Sequence, residues 1–456
     1  MKSRQSERGL YDAGIDEARQ RVALVSGEVP VAVYGLGKMG LPLAGVYAEV
    51  TGNVVGVDVD ESVAETVDSG GCHVDGEPDL AELVEERVSE GGLSATHEPT
   101  AAAAAASVHV VIVPTLLTDD NEPDLATLRA AVESIGAGLS EGDVVIIEST
   151  VPPGTCRDVV LPLLCEESGL EEGSFGLAFC PERTSSGRAL EDIKGSYPKV
   201  VGGVDEESTR VAALIYDQIT DNDVIEANDA TTAECVKVFE GVYRDVNIAL
   251  ANELGRLTDD LSVDVTDAID VANTQPFCDI HTPGPGVGGH CIPVYPYFLT
   301  EQVDYDLPLV RTARAVNDRM SEFVVRKVDQ LLADRGQALE DSSVLLLGAT
   351  YRAGVAETRK SPSRAVARHL VELGADVTLT DPMLEADDVA SWPGTFAPTE
   401  AVDTDAFDAV VLLTAHEEFG SLDPAAFGDA AILDTRRALE SGTRDRPHYA
   451  LGRGMK

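Results

Sequence analysis

The segment Val31-Ala32-Val33-Tyr34-Gly35-Leu36-Gly37-Lys38-Met39-Gly40 decides how the rest of the chain is read. Four apolar residues suited to a buried strand run into three glycines, and a helical pattern opens at the third. A second apolar strand, Val54-Val55-Gly56-Val57, ends at Asp58. Strand, glycine turn, helix and a following acid together form the context of a dinucleotide-binding turn. Gly35 permits the tight turn, Gly37 lets the backbone approach a pyrophosphate, and Gly40 lets helix and strand pack closely. The free N–H groups of the helix start face the phosphates. Lys38 and Met39, in the same turn, complete the expected cofactor contacts. Asp58 can accept from a ribose 2′-OH and repels a 2′-phosphate, so NAD is expected and NADP is not.

Outward from this turn the same alternation continues. Val108–Val113 and Val144–Ile147 read as further buried strands with helices between them. A breaker-poor stretch from Asp229 to Thr258 predicts one long helix, with Gly241 and Gly255 as its only interior breaker candidates. The run Thr282-Pro283-Gly284-Pro285-Gly286-Val287-Gly288-Gly289 is too rich in breakers for helix or strand. A helix is expected over Arg311–Ala333. A second α/β unit opens at Val344-Leu345-Leu346-Leu347-Gly348, with a helix near Ser363–Leu373 and strands at Asp376–Thr380, Val410–Leu413 and Ala431–Leu433. The expected fold is α/β: two Rossmann-like, doubly wound parallel-sheet domains joined by a central helical region with a long helix. The expected boundaries are an N-terminal extension at 1–28, an NAD domain at 29–226, a central helical domain with the cysteine loop at 227–325, and a nucleotide-sugar domain at 326–456.

Composition narrows the partners. The 456 residues carry 80 acids against 34 Lys and Arg, a formal charge of −46 spread along the chain. Such a polyanion is a poor binder of nucleic acid or of anionic membranes. Its self-repulsion is tolerable where salt screens it, so a salt-adapted cytoplasmic protein is expected. Seven cysteines without a Cys-x-x-Cys pair argue against a disulfide framework or a structural zinc, and no metal is expected. No secretory leader is expected, and the apolar run Ala101–Leu117 falls short of the roughly 20 residues of a spanning helix. With cations so scarce, those near an anionic ligand should be specific ones. Arg183, Arg188, Lys194, Arg244, Arg311, Arg314, Arg319 and Arg359 are the candidates.

Gly288-Gly289-His290-Cys291-Ile292-Pro293 puts a thiol at the end of a glycine loop. Glycines leave room for a substrate, and a thiol there is a candidate nucleophile. The other six cysteines lie in apolar or helical contexts and read as structural thiols. His290 could lower the thiol pKa or merely cap the loop, and is left unassigned.

Several signatures occur in a fixed order. They are Tyr34–Pro42, Glu77-Pro78-Asp79-Leu80, Val113-Pro114-Thr115, Glu148-Ser149-Thr150-Val151-Pro152-Pro153-Gly154-Thr155, Cys180-Pro181-Glu182-Arg183, Arg244-Asp245-Val246-Asn247, Gly284–Cys291 and Arg359-Lys360-Ser361-Pro362. In these the chain resembles the nucleotide-sugar dehydrogenases, from about Pro30 to the last strands. The Cys-Pro-Glu-Arg, Arg-Asp-Val-Asn and Gly-Gly-His-Cys forms look like the N-acetylhexosamine branch, with UDP-N-acetylmannosamine the closest match and UDP-N-acetylglucosamine or UDP-glucose the alternatives. The resemblance implies two NAD-dependent oxidations of a sugar C6 alcohol through a thioester on Cys291. It gives Lys237 an oxyanion-stabilising role, and gives Thr150 and Glu182 the catalytic water and proton transfer. Pro114 and Thr115 fall at cofactor positions. Arg183, Arg244, Gly288, Gly289 and Arg359 fall at positions for a UDP-sugar, with Arg359 on the diphosphate. The family pairs subunits through the long helix, which implies a dimer or higher multiple. The active site is expected where the cysteine loop meets the nicotinamide.

Two positions depart from that pattern. Gly241 stands where the family has Asn, four residues after Lys237, and Tyr295 where it has Asp, four after Cys291. The glycine removes volume beside Lys237, so a larger or shifted pocket is expected. Tyr295 is a candidate to supply a phenol to the same network. A simple hydroxyacid dehydrogenase would need neither Cys291 nor a second α/β domain. A binding protein without activity would have no physical need for a poised thiol.

Overall fold

The computed structural model describes residues 9–420, 422, 424–439 and 448–455. They form two compact units. One runs from the first described residues to Phe239 and includes Tyr297–Asp304; the other comprises Glu240–Pro296 and the described residues from Tyr305 on.

Among the described residues the first unit is built on an eight-stranded sheet: β1 (Val31–Tyr34), β2 (Val54–Val57), β3 (Leu93–Thr96), β4 (Val108–Val111), β5 (Val144–Ile147), β6 (Gly176–Phe179), β7 (Lys199–Gly203) and β8 (Val224–Glu226). Their order is β8-β7-β6-β5-β4-β1-β2-β3. Neighbours run parallel except β6 and β7, whose connection carries no full crossover helix and lets β7 run back against β6. Strand alternation explains the two-sided core. Val31, Val33, Val144 and Ile146 join one cluster, while Ala32, Tyr34, Val145 and Ile147 join the other. Burial on both faces is why these strands read as unbroken apolar runs. Each fully buried Val or Ile contributes about 1.5–3 kcal/mol. The order reverses beside β1, and the crevice at the carboxyl ends of β1 and β4 is where such sheets take ligands.

The described part of the N-terminal extension is seated on this unit. Helix α1 (Glu17–Val25) is capped by Asp16, whose carboxylate accepts from the Arg19 N–H at 3.0 Å. Leu10, Tyr11 and Leu24 belong to the main core. The Tyr11 hydroxyl donates to Asp205 at 2.9 Å, and its backbone N–H donates to Gly142 O at 3.1 Å.

Helix α2 (Gly40–Thr51) follows the glycine turn. The long helix is α3, Ala230–Arg256, 27 residues, as its lack of proline predicts. In the second unit the expected helix over Arg311–Ala333 is two helices, α4 (Pro308–Asp318) and α5 (Met320–Ala333). They join at Arg319, which caps the end of one and the start of the other (φ −76°, ψ −5°) in a stretch without Pro or Gly to announce the break.

Among the described residues the second sheet has seven strands: β9 (Ser343–Leu347), β10 (Asp376–Thr380), β11 (Thr395–Phe396), β12 (Ala409–Leu412), β13 (Ala431–Asp434), β14 (His448–Ala450) and β15 (Gly454–Met455). Their order is β11-β10-β9-β12-β13-β14-β15, parallel but for β15. Helix α6 (Pro362–Glu372) packs on it, and Val344 and Leu346 face one core while Leu345 and Leu347 face the other.

Candidate active site

The dinucleotide turn has the shape its glycines require. Gly35 has φ +94°, and a Cβ there would lie 2.6 Å from Ile112 O. A Cβ on Gly40 would overlap the Gly35 carbonyl oxygen. Around Gly37 nothing lies within 4 Å of such a Cβ, so the backbone is open to a ligand there. Asp58 Oδ2 accepts from the Leu36 N–H at 2.9 Å and Oδ1 from the Asp60 N–H at 3.0 Å, which aims the carboxylate at the turn. An open cradle beside an oriented acid fits a dinucleotide with a free ribose hydroxyl pair.

Around this turn the first unit gathers most of the expected catalytic groups. Lys237, buried on α3, donates to Glu182 O, and its ammonium lies 3.6 Å from Glu182 Oε2. Glu182 also accepts from the Thr184 N–H, and the Thr184 hydroxyl contacts Met39 Sδ at 2.9 Å, which ties this loop to the glycine turn. Thr115 Oγ1 donates to Thr150 O at 2.5 Å, and Ser149 Oγ accepts from the Val113 N–H at 2.8 Å. Pro114, Thr115 and Thr150 are thereby held in one loop pair. Arg183 donates to Pro198 O at 3.0 Å and lies over the Tyr197 ring.

Two buried carboxylates that the sequence reading passed over brace this region. Glu234, one turn before Lys237, is fully buried and accepts from the N–H groups of Gly154 (2.5 Å) and Cys156 (2.7 Å) in the loop after Thr150. Burial pushes its carboxyl above the usual range, against those hydrogen bonds. Glu148 is paired with Lys199 at 2.7 Å and accepts from Tyr216.

The second unit carries the cysteine loop. Cys291 is exposed, whereas among the other six cysteines Cys156 and Cys180 are buried and the rest half-buried. Gly289 has φ +95° and donates to Arg359 O at 2.9 Å. A Cβ on Gly288 would lie 2.7 Å from Tyr351 Cβ. These glycines seat the loop against Tyr351 and the Arg359 backbone, while the Arg359 side chain stays exposed. His290 is 2.9 Å from Glu357. Val294 and Tyr295 both donate to Cys291 O at 3.0 Å, closing a turn behind the thiol.

The volume expected beside Gly241 is filled. A Cβ on Gly241 would overlap Tyr295 Cδ2 and lie 3.0 Å from Cγ, so the tyrosine ring occupies the space the glycine leaves.

The tracked cations divide. Arg314 is structural, paired with Asp245 at 2.5 Å and Asp318 at 2.8 Å. Arg188, Lys194 and Arg311 pair with Glu191, Glu49 and Asp306. Arg244 is exposed. Arg436 was missed. Its guanidinium donates through Nε to Leu413 O at 2.7 Å, and Nη1 would lie 2.9 Å from a Cβ on Gly284. Burial lowers its pKa to about 10, with Arg437 adding and Asp434 opposing. A desolvated guanidinium at the carboxyl end of the sheet suits an anion. The signal was the Arg436-Arg437 pair itself, directly after a strand in a cation-poor chain.

Comparison with known proteins agrees with this layout. Three domain models of the UDP-glucose/GDP-mannose dehydrogenase family match: the NAD binding domain at 29–220, the central domain at 231–319 and the UDP binding domain at 345–441. The chain belongs to this family and is an NAD-dependent nucleotide-sugar dehydrogenase. It is 34% identical to a UDP-N-acetyl-D-mannosamine dehydrogenase of Pyrococcus horikoshii, over 93% of this chain and 99% of that protein. It is 35% identical to an NDP-N-acetyl-D-galactosaminuronic acid dehydrogenase of Ralstonia nicotianae, over 89% of this chain and 95% of that protein. The solved structure of a Pyrococcus horikoshii UDP-D-ManNAc dehydrogenase superposes with a TM-score of 0.86 at 34% identity, covering 93% of this chain and all of the other.

Proposed function

We propose that this enzyme oxidises C6 of UDP-N-acetyl-D-mannosamine to the carboxylate, with Cys291 as nucleophile, Lys237, Thr150 and Glu182 around the reacting carbon, and Arg183, Arg244, Gly288, Gly289 and Arg359 toward the nucleotide sugar. The observation that carries it is the joining of Lys237, Glu182, Thr184 and Met39 into one contact chain ending at the dinucleotide turn. Bound NAD supplies the hydride acceptor, twice per sugar.

The residues divide the rest. The Lys237 ammonium, held by Glu182, stabilises the C6 alkoxide as the alcohol loses its proton. The Cys291 thiolate adds to the aldehyde carbon: a C–S bond forms and the carbonyl pair moves to oxygen. Loss of the second hydride leaves a thioester. Water adds to it, the C–S bond breaks and the thiolate is regenerated. One alcohol, two NAD and one water thus give one carboxylate, two NADH and three protons.

Residues 29–226 serve as the NAD module, 227–325 as the central module and 326–456 as the nucleotide-sugar module. On α3, Phe239, Tyr243 and Leu250 are 55%, 52% and 48% exposed, and Leu257 just beyond it 37%. Their four- and seven-residue spacing makes one apolar stripe, which supports pairing of two copies along the helix. The −46 charge supports work in a salty cytoplasm. Surface polysaccharide or glycan synthesis is the expected use of the product.

The test is NADH formed per sugar consumed, in high salt, with the manno, galacto and gluco forms of the UDP-N-acetylhexosamine and with UDP-glucose. Two NADH per manno sugar, lost in Cys291→Ser, is the expected result. Preference for the galacto sugar would move the chain toward its Ralstonia relative.

A further inference from the structure

Gly241 lies in the interior of the 27-residue helix α3, where glycine is among the least favoured residues, and Gly255 is the second-last residue of the same helix. Neither has the positive φ that would call for glycine. Both are needed for room. A Cβ on Gly241 would overlap the Tyr295 ring, and a Cβ on Gly255 would lie 2.8 Å from Pro283 Cβ. Pro283 and Tyr295 stand at the two ends of the segment that carries Cys291.

Between these two notches the same helix face makes polar contacts. At about 100° per residue, Gly241, Asp245, Asn252 and Gly255 fall in a stripe about 80° wide. Asn252, fully buried, accepts from the Gly284 N–H at 2.8 Å and donates to Asn317 at 2.8 Å. Asp245, also fully buried, takes Arg314 and Asn317. Tyr295 is 6% exposed, and its N–H donates to Cys291 O, so a displaced ring drags the cysteine turn with it.

We infer that α3 is a two-notch clamp for the cysteine segment, in which Gly241 and Gly255 admit Tyr295 and Pro283, and that Tyr295 is a positioning residue for Cys291 through its ring. The inference rests on the reading of Cys291 as nucleophile. Packing of Tyr295 against Gly241 thus holds the thiol's turn.

The experiment reads hydrogen–deuterium exchange of peptides spanning 286–298 beside turnover of the full-length enzyme in high salt. In Gly241→Ala, exchange in that segment rises and kcat falls about tenfold or more, with KM for NAD unchanged. Tyr295→Ala, which leaves α3 untouched and stands in should Gly241→Ala not fold, gives the same pair of changes. Tyr295→Phe restores both to near the parent values. Unchanged exchange in Tyr295→Ala would overturn the clamp. So would a Tyr295→Phe enzyme as slow as Tyr295→Ala, since the phenol would then be the working group. If the parent turns over none of the UDP sugars while Tyr295→Ala still raises exchange, the clamp stands and the substrate reading falls.

Discussion

Lys237 is held by Glu182 at both ends of that residue: its ammonium donates to the backbone oxygen and lies 3.6 Å from the carboxylate. The pair is largely sheltered from solvent, with side chains 10% and 17% exposed. A sheltered, pre-aimed cation acts on developing negative charge without reorganising. Lys237→Met is therefore expected to lower kcat about 100-fold or more, in line with loss of an oxyanion donor. Steady-state NADH formation at saturating NAD checks it; a loss confined to KM would count against the role.

Asp58 offers its carboxylate to the turn at Leu36, and in the proposed reading it also accepts from the cofactor ribose. Asp58→Asn weakens both. KM for NAD is expected to rise about tenfold, the size of one charge-assisted hydrogen bond. Discrimination against NADP should narrow as the repulsion of a 2′-phosphate is removed. Parallel titrations with the two cofactors decide this, and unchanged KM for NAD would remove Asp58 from the site.

Glu234 spends both carboxylate oxygens on backbone N–H groups of the loop after Thr150. A glutamine can accept at one oxygen only and turns an NH₂ toward the other donor. Glu234→Gln is expected to cost about 1–3 kcal/mol of stability from the unsatisfied group. Denaturant titration measures it.

Asp381 sets a pH dependence in the second sheet. Burial would raise its carboxyl, but hydrogen bonds from His416 and from the Thr350 and Met383 N–H groups outweigh it and hold the pKa below the usual range. A depressed acid stabilises the fold above its unfolded pKa, near 3.9, and loses that contribution as pH falls through the folded value. The stability gap between the parent and Asp381→Asn should be full at neutral pH and shrink below about pH 4. A gap that is flat with pH, in chemical denaturation at fixed salt, would rule the mechanism out.

Much of this was legible beforehand, for reasons specific to each element. The strands Val54–Val57, Val144–Ile147 and Asp376–Thr380 carry uniform or alternating apolar patterns between turn signals, and the structure places them there. The dinucleotide turn is written in local glycines and one acid. Helix α3 has no proline to interrupt it. Long-range pairings were not legible. Nothing near Glu234 in sequence says that its carboxylate closes a loop 80 residues away. The break at Arg319 has no Pro or Gly to mark it. Gly241 and Tyr295 were seen separately as two missing polar groups, because 54 positions of chain hide that one fills the other's space.

That interlock also limits how the sequence can drift. Asparagine at 241 cannot arrive while the ring is in place, because its first carbon would overlap Tyr295. Aspartate at 295 cannot arrive comfortably while the glycine remains, because it leaves the ring's volume empty beside the helix. The route from this pair to the Asn and Asp that the family resemblance implies therefore crosses a poorly packed intermediate whichever change comes first. Descendants of this chain should keep or exchange the two residues together, and the pair can serve as an inherited marker that sorts lineages within the family.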